Sequence, residues 1–359
     1  MLRTRGAVRN LPTYHPPLGG RTGLRLDFNE NTVGCSPHVL ERLRRIDFED
    51  LARYPEREPV EAIVASHIGV KADELLLTNG VDEAIYLLCE AYLEPADEVC
   101  IVVPTFSMYE IFAKTTGARV VSVPADEGFA FPLTALRRQI NPSTRLIAIA
   151  NPNNPTGAAA NADDLLALAD FAPEAALLID EAYFEFHGET LLRAWADRPN
   201  VFVARTFSKA YGLAGLRAGI LCGHREQMES IRRLASPYNV NIVALTCLAE
   251  ALADEEYVRE YVREVCAGRE RLQAELERLG IPYWPSRANF VLMRLGDLNS
   301  AFIGGMRERG ILVRDRSRDY GCQGCVRITI GSTEQTDRLL DALRDTLRKV
   351  GALKLEVRS

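Results

Sequence analysis

One lysine stands among phosphate-binding residue types in the stretch ARTFSKAYGLAGLR, residues 204–217. Ser208 precedes Lys209, a glycine-rich loop follows it, and Arg217 closes the stretch. A serine hydroxyl and an arginine fork can hold a phosphate group, and a lysine amine beside them can bond covalently to a carbonyl carbon. The stretch therefore predicts a site for a phosphorylated carbonyl compound.

Three further polar clusters follow apolar runs. ANPNNPTG supplies Asn154, DEAYFEF supplies Asp180 and Tyr183, and TNGVDEAI places an Asn-Gly turn before a helix. The backbone amides of Val81 and Asp82 would then face outward at a helix N-terminus, where an anion is favoured. These clusters add a second phosphate contact and a carboxylate to the predicted site.

A phosphate cradle, a lysine for an aldehyde and a carboxylate for a protonated ring nitrogen are what pyridoxal 5′-phosphate requires. We therefore predict that cofactor. No metal is expected, because the five histidines fall in no ligand spacing and the lone CxxC of Cys322 and Cys325 lacks two further ligands. The favoured interpretation of this pair is a loop that enters a strand, and a metal or redox role is the weaker alternative.

Alternation of short apolar runs with helical patterns indicates how these clusters are positioned. It predicts an α/β fold with a large domain whose mostly parallel sheet, of about seven strands, is covered by helices. Ligands bind at the carboxyl ends of such strands, where the polar clusters lie. The candidate strands are Leu75–Thr78, Val99–Val103, Arg119–Val123, Leu146–Ala150, Ala176–Ile179, Val201–Ala204 and Ala218–Cys222.

Three segments are predicted along the chain. Residues 1–31, rich in Pro and Gly, form an N-terminal arm, and residues 32–265 form the large cofactor-binding domain. Residues 266–359 form a smaller α/β C-terminal domain. Its predicted strands are NFVLMRL, GILVRD and CVRITIG, and TEQTDRLLDALRDTLRKVG is its last helix.

Composition excludes several function classes. The net charge of −6 gives no basic footprint for nucleic acid, and no run of 18 apolar residues predicts a membrane span. No signal-peptide pattern opens the chain, so we expect a cytoplasmic protein. A nucleotide-binding α/β protein without pyridoxal phosphate is disfavoured because no GxGxxG follows the first strand.

The order of these clusters resembles the fold-type I (class I/II) pyridoxal-phosphate-dependent aminotransferases, and within them the histidinol-phosphate aminotransferase family. The resemblance covers nearly the whole chain. Its motifs are VRNLPTYHPP, LDFNENTVGCSP, RYPE, TNGVDE, PTFSMY, NPNNPTG, IDEAYFEF, RTFSKAYGLAGLRAG, ILVRD and VRITIG.

The resemblance implies a role for each matching residue. Lys209 would link to the cofactor aldehyde and then carry a proton, and Asp180 would keep the pyridine nitrogen protonated. Tyr183 and Asn154 would bond the phenolic oxygen, and Phe106 would stack on the ring. The implied phosphate ligands are Val81, Asp82, Ser208, Arg217 and, more weakly, Thr206. Ordinary alternatives are a surface lysine at 209, a helix cap at 180, turns at 82 and 154, and core packing at 106.

The substrate end and the assembly are also implied by the resemblance. Arg327 would bind a carboxylate and Arg314 the substrate phosphate, with Arg316 and Arg318 as rivals for that second role. Tyr14 and Tyr54 would line the substrate site, and Tyr54 would also reach a neighbouring subunit's cofactor phosphate, unless either tyrosine is only a packing residue. The implied partners are a second copy of the chain, in a homodimer with shared sites, and small substrates: histidinol phosphate or imidazole acetol phosphate, glutamate and 2-oxoglutarate.

Two alternatives on the same scaffold stay open. One is an aromatic amino acid (phenylalanine or tyrosine) aminotransferase, and the other is a phosphothreonine-type decarboxylase. Two arginines, Arg314 and Arg327, suit a phosphate dianion better than a neutral ring, because guanidinium forks grip phosphate oxygens in pairs. The sequence therefore favours histidinol-phosphate:2-oxoglutarate transamination in histidine biosynthesis.

Overall fold

The computed structural model describes residues 2–9, 11, 13, 20 and 22–353. In chain order, its strands are β1 (Leu24–Arg25), β2 (Leu75–Thr78), β3 (Glu98–Val103), β4 (Arg119–Pro124), β5 (Thr144–Ala150), β6 (Ala176–Asp180), β7 (Val201–Thr206), β8 (Gly219–Gly223), β9 (Tyr283–Trp284), β10 (Phe290–Arg294), β11 (Ile311–Leu312), β12 (Arg314–Asp315) and β13 (Cys325–Thr329).

The α-helices alternate with these strands over most of the chain. They are α1 (Gly6–Arg9), α2 (Pro37–Leu43), α3 (Phe48–Ala52), α4 (Glu58–Ile68), α5 (Gly80–Tyr92), α6 (Met108–Thr116), α7 (Leu133–Gln139), α8 (Ala162–Phe171), α9 (Phe184–His187), α10 (Arg225–Leu234), α11 (Ile242–Ala253), α12 (Glu255–Arg278), α13 (Asn299–Glu308) and α14 (Thr333–Lys349). None of those described is both long enough and apolar enough to traverse a lipid bilayer.

A seven-stranded sheet forms the centre of the larger part of the chain, in the order β2-β8-β7-β6-β5-β3-β4. Strand β8 runs antiparallel to both of its neighbours, and the other pairs are parallel. Strands β2, β6, β7 and β8 are buried along their whole length, which explains why they are nearly continuous apolar runs in sequence. The predicted fold class and its seven strands are confirmed.

A smaller antiparallel sheet, in the order β12-β13-β10-β9, lies in the C-terminal part of the chain. The predicted GILVRD strand is divided into two, because β11 pairs with β1 of the N-terminal segment whereas β12 pairs with β13. The N-terminal segment is therefore attached to this smaller unit. The predicted limit between residues 265 and 266 falls inside α12, and the domain limits stay predictions.

Local polar contacts set the start of the helices that flank the sheets. The Asn161 side chain accepts the Asp164 N–H at 2.7 Å at the start of α8, a position where asparagine is favoured. Ser332 and Gln335 form a reciprocal capping box at the start of α14. Helix α14 therefore begins shortly after β13, the strand that carries Arg327.

Candidate active site

A cavity of about 840 Å³ opens at the carboxyl ends of β5, β6 and β7 and reaches the smaller sheet. This is where a mostly parallel sheet places its ligands. Most of the predicted site residues line it together: Val81, Asp82, Phe106, Asn154, Asp180, Tyr183, Thr206, Ser208, Lys209, Arg217, Arg314 and Arg327. The rivals Arg316 and Arg318 line it too.

One predicted tyrosine, Tyr54, is not among the lining residues. Tyr54 follows α3 with 78% of its surface exposed, and its ring stacks on Tyr238 with 4.3 Å between centroids. Its predicted reach into a neighbouring subunit's site stays a prediction. Tyr14 lies outside the described residues.

Lys209 follows β7 and reaches into the enclosed part of the cavity. Its Nζ donates a hydrogen bond to the Phe28 carbonyl oxygen at 3.2 Å. Burial lowers the pKa of the Lys209 ammonium to about 8, and the nearby Arg327 guanidinium acts in the same direction. The amine can therefore become neutral, and so nucleophilic, close to physiological pH.

Asp180 ends β6 and is buried at the floor of the cavity. The Tyr109 hydroxyl donates to Oδ2 at 2.5 Å, and the Ala182 N–H donates to Oδ1 at 3.0 Å. Burial raises the pKa of the Asp180 carboxyl to about 6, against the effect of these two hydrogen bonds. A carboxylate held in this way is suited to pair with a cationic ring nitrogen, because the cation would compensate the buried negative charge.

Tyr183 and Asn154 approach the same cavity from the ends of β6 and β5. The Tyr183 hydroxyl accepts a hydrogen bond from Asn29 Nδ2 at 2.9 Å, and the Phe290 ring packs edge-on against Tyr183 at 5.2 Å between centroids. Asn154 Oδ1 accepts from Arg327 Nη1 at 2.5 Å, which leaves the amide hydrogens of Asn154 free to donate.

The start of α5 and the loop before β8 form a tight cradle. Arg217 adopts a left-handed backbone conformation with φ 57°, and its guanidinium donates to Asp82 Oδ2 at 2.7 Å. A Cβ on Gly80 would lie 2.5 Å from the Arg217 guanidinium, and one on Gly219 would lie 2.9 Å from the Val81 nitrogen. Glycine at both positions therefore allows the guanidinium to lie against the N-terminus of α5.

Hydroxyl groups complete this cradle. Thr206 Oγ1 donates to Ser208 Oγ at 3.0 Å and accepts the Ser208 N–H at 3.1 Å. Together with the helix N-terminus and the Arg217 guanidinium, these groups match the donor set that phosphate requires. One member of the cradle, Ser208, directly precedes Lys209 in sequence.

Arg314 and Arg327 stand directly opposite each other on strands β12 and β13. Like charges in this position repel unless an anion lies between them. Arg327 also donates to the Asp27 carbonyl oxygen at 2.8 Å, and neither arginine forms an ion pair with a carboxylate within the described chain. Burial and the neighbouring Arg316 lower the pKa of Arg327 to about 9. This end of the cavity is therefore built for an anionic ligand.

Comparison with known proteins gives the family. The family model "Aminotransferase class I and II" matches residues 21–343. A histidinol-phosphate aminotransferase of a Geobacillus species is 35% identical over 95% of this chain and 97% of its own length. The chain belongs to the histidinol-phosphate aminotransferase family of the class I and II aminotransferases. A second relative, the histidinol-phosphate aminotransferase of Moorella thermoacetica, is 33% identical over 96% of this chain and 93% of its own length.

Solved structures agree with this membership. The histidinol-phosphate aminotransferase of Sinorhizobium meliloti, in complex with pyridoxal 5′-phosphate, superposes with a TM-score of 0.88 at 25% identity. The match covers 98% of this aminotransferase and 99% of that chain. Aspartate aminotransferase from Thermus thermophilus has a TM-score of 0.79 at 25% identity over 92% of both chains.

Pyridoxal phosphate is the cofactor of the aminotransferase family, and the residues of this aminotransferase fit it. The fit rests on a partly buried lysine with a lowered pKa, a buried carboxylate with a raised pKa, and a cradle in which a Cβ at Gly80 would displace the Arg217 guanidinium. These three features lie at separate points of one cavity. They correspond to the aldehyde, the ring nitrogen and the phosphate of the cofactor.

Sequence reasoning missed several residues that line the cavity of this aminotransferase. Tyr109 lies three residues after Phe106, its ring packs against the Phe106 ring at 5.8 Å between centroids, and it binds Asp180. Tyr109 belongs to the PTFSMY motif, but the motif does not indicate that it contacts Asp180. The LDFNEN motif likewise does not indicate a role for Asn29. Asn29, Arg307 and Asp319 also line the cavity.

The cysteine pair lies beside this region without lining the cavity. Cys325 begins β13, and Cys322 lies in the turn before it, so the pair is a loop that enters a strand, as predicted. Both side chains are buried with Leu292, Phe129 and Trp284. Within the described chain, no three His, Cys, Asp or Glu side chains are grouped so as to hold a metal ion.

Proposed function

We propose that this chain catalyses pyridoxal-phosphate-dependent transamination between histidinol phosphate and 2-oxoglutarate. The observation that carries the proposal is the pair of opposed arginines, Arg314 and Arg327, which have no carboxylate partner among the described residues. Two guanidinium groups at one end of a cofactor cavity suit a substrate that carries a phosphate dianion. The names of the curated relatives support the same substrate.

Cofactor binding would use the cavity residues in three groups. Ser208, Arg217 and the amide groups at the start of α5 would hold the phosphate. Phe106 would pack on the ring, since stacking needs only an aromatic face. Asp180 would pair with the ring nitrogen, and the hydrogen bond from Tyr109 keeps one carboxylate oxygen engaged while the carboxylate is turned toward the cavity.

Bound pyridoxal phosphate supplies an aldehyde that takes up the amino group and a ring that withdraws electrons from the substrate α-carbon. Lys209 would bind that aldehyde and, once displaced, move a proton from the α-carbon. Its pKa of about 8 keeps a useful fraction of the amine neutral near pH 7.5. Tyr183 and Asn154 would donate to the phenolic oxygen and so stabilise its negative charge.

The substrate end has to accept two different anions in turn. Arg327 would hold the α-carboxylate of glutamate, and Arg314 would add the second guanidinium that a phosphate dianion can use. Arg316 is paired with Asp319, so it is the weaker candidate for direct contact. Arg318 and Arg307 also line this end and add positive charge.

A substrate panel tests the proposal. The purified enzyme is assayed with histidinol phosphate, phenylalanine, tyrosine and aspartate, each with 2-oxoglutarate, and glutamate is measured as the common product. We expect the largest kcat/KM with histidinol phosphate. A larger value with phenylalanine or tyrosine would favour the aromatic alternative, and release of carbon dioxide from phosphothreonine would favour the decarboxylase.

We also propose a homodimer that shares its active sites. Phe48 and Leu51, three residues apart on α3, and Tyr54 just beyond them are 79%, 63% and 78% exposed. Such a group of exposed apolar side chains is typical of a surface that another subunit covers. Tyr54 would then lie against the partner's cofactor phosphate.

Mixing two inactive variants tests the shared sites. Lys209→Ala disables a subunit's own site, and Tyr54→Ala disables the site of its partner. A mixed dimer would have one complete site, so random exchange of equal amounts should restore about a quarter of wild-type activity. If no activity is restored although exchange is demonstrated by mass, Tyr54 does not act across subunits.

A further inference from the structure

We infer that Asn29 is a positioning residue that sets the direction of the Tyr183 hydroxyl and ties it to the strand that carries Arg327. The inference rests on the proposed function, because it concerns the hydroxyl that faces the cofactor's phenolic oxygen. Asn29 has 1% of its surface exposed and lines the cavity, and nothing about its sequence position alone assigns it a role.

Four hydrogen bonds hold Asn29 between distant parts of the chain. Its backbone N–H donates to Thr329 Oγ1 at 3.0 Å, and Thr329 Oγ1 donates back to Asn29 Oδ1 at 3.0 Å. The Asn29 carbonyl oxygen accepts from Asn289 Nδ2 at 3.2 Å. Its own Nδ2 donates to the Tyr183 hydroxyl oxygen at 2.9 Å.

These bonds form a chain that runs in one direction. The Asn29 backbone N–H donates to Thr329 Oγ1, and the Thr329 hydroxyl donates to Asn29 Oδ1. With its oxygen turned toward Thr329, the Asn29 amide presents its NH₂ group to Tyr183. Because the amide already donates to the Tyr183 oxygen, the Tyr183 proton must point elsewhere. The open side is the cavity, where the cofactor's phenolic oxygen would accept it.

The backbone at Asn29 is part of the same arrangement. Asn29 has φ 56°, in the left-handed region that few residues other than glycine adopt, although asparagine tolerates it better than most. Glycine fits this conformation without strain. Asn29→Gly therefore removes the amide while it keeps the backbone path, whereas Asn29→Ala would add strain and confuse the two effects.

The same contacts connect the cofactor side of the cavity with its substrate side. Thr329 and Arg327 lie two residues apart on β13, so their side chains are on the same face of the strand. Tyr183 follows β6 of the large sheet. Asn29 joins these two positions through the N-terminal segment, so a shift of β13 toward or away from the large sheet changes the geometry at the Tyr183 hydroxyl.

The test follows the visible absorption band of the bound cofactor against pH, without substrate. A hydrogen bond from Tyr183 stabilises the negatively charged phenolic oxygen, so it lowers the pH at which the chromophore loses its proton. Asn29→Gly should raise that midpoint by about half to one pH unit, as loss of one neutral hydrogen bond predicts. Tyr183→Phe should raise it at least as much.

The double variant decides between a positioning role and a structural one. If Asn29 acts through Tyr183, then Asn29→Gly in the Tyr183→Phe background should give almost no further shift. Asn31→Gly is the matched control, because Asn31 lies in the same segment and donates to the Ala210 carbonyl oxygen instead. That control should leave the midpoint at its wild-type value.

Asn29→Asp gives a second, isosteric test that keeps the acceptor for Thr329. Its second oxygen would accept the Tyr183 proton and direct it away from the cavity, so the midpoint should rise. The same substitution in the Tyr183→Phe background measures the effect of the added charge alone. Additive shifts, or an unchanged midpoint in Asn29→Gly, would overturn the role of Asn29 while the proposed function stands. A wild-type protein that forms no visible band with pyridoxal phosphate would overturn both.

Discussion

Asp180→Asn should make the cofactor-free protein more stable and the enzyme much less active. The ordinary pKa of 3.8 rises to about 6 because Asp180 is buried. A difference of about two pKa units corresponds to about 3 kcal/mol between the protonated and ionised forms. Asparagine has nearly the same shape and can still bond with Tyr109 and Ala182, so its main effect is to remove the buried charge.

The sign of this effect follows from linkage. Below about pH 3, Asp180 is protonated in both the folded and the unfolded chain, and burial of the neutral carboxyl costs little. As pH rises from the ordinary pKa of 3.8 through the folded pKa of about 6, the unfolded chain ionises first, so the wild-type chain loses stability relative to the Asp180→Asn variant. The variant should therefore gain up to about 3 kcal/mol at pH 8 and only about 0.5 kcal/mol at pH 4.

Urea unfolding of the cofactor-free proteins at several pH values measures this difference. Taking variant minus wild type at each pH cancels the other titrating groups. Asp126→Asn, at an exposed carboxylate, is the control and should change the free energy of unfolding by less than about 0.5 kcal/mol at any pH. A variant that is less stable than wild type at pH 8 would refute the reasoning that an uncompensated charge is buried at this position.

Three further predictions concern the chemistry. Lys209→Ala should abolish multiple-turnover transamination, because both covalent capture and proton transfer need that amine; sustained glutamate formation would contradict this. Tyr109→Phe should raise the pKa of Asp180 by about one to two units, as loss of a charge-assisted hydrogen bond predicts, and carboxyl-carbon NMR of the cofactor-free protein should show it; no shift would mean that the 2.5 Å contact has little energetic weight. Arg314→Ala should lower kcat/KM for histidinol phosphate about 10- to 150-fold and affect glutamate less, in half-reactions followed by cofactor absorbance; equal losses would mean that Arg314 supports the fold.

The sequence predicted much of this fold because the relevant signals are local. The seven strands of the large sheet are short apolar runs bounded by turns, and their observed limits differ from the predicted ones by two residues at most. The residues of the cofactor end follow those strands directly, so the rule for parallel sheets brought Asn154, Asp180 and Lys209 together.

What the sequence did not indicate depends on contacts between distant segments. Tyr109 and Asp180 are 71 residues apart, and Asn29 and Thr329 are 300 residues apart. The opposition of two arginines comes from the register of β12 against β13, which no local pattern specifies. The GILVRD run likewise reads as one strand, and only the position of β1 beside its first half divides it.

The most direct test of the central claim compares histidinol phosphate with histidinol, which differs from it only by the phosphate group. Both are used as amino donors with 2-oxoglutarate, and kcat/KM is measured for each. Two guanidinium contacts to the phosphate, at roughly 1.5–3 kcal/mol each, predict that histidinol phosphate is favoured by a factor of about 10² to 10⁴. Comparable kcat/KM values for the two donors would contradict the account, because the arginines opposite each other in the cavity would then not recognise a phosphorylated substrate.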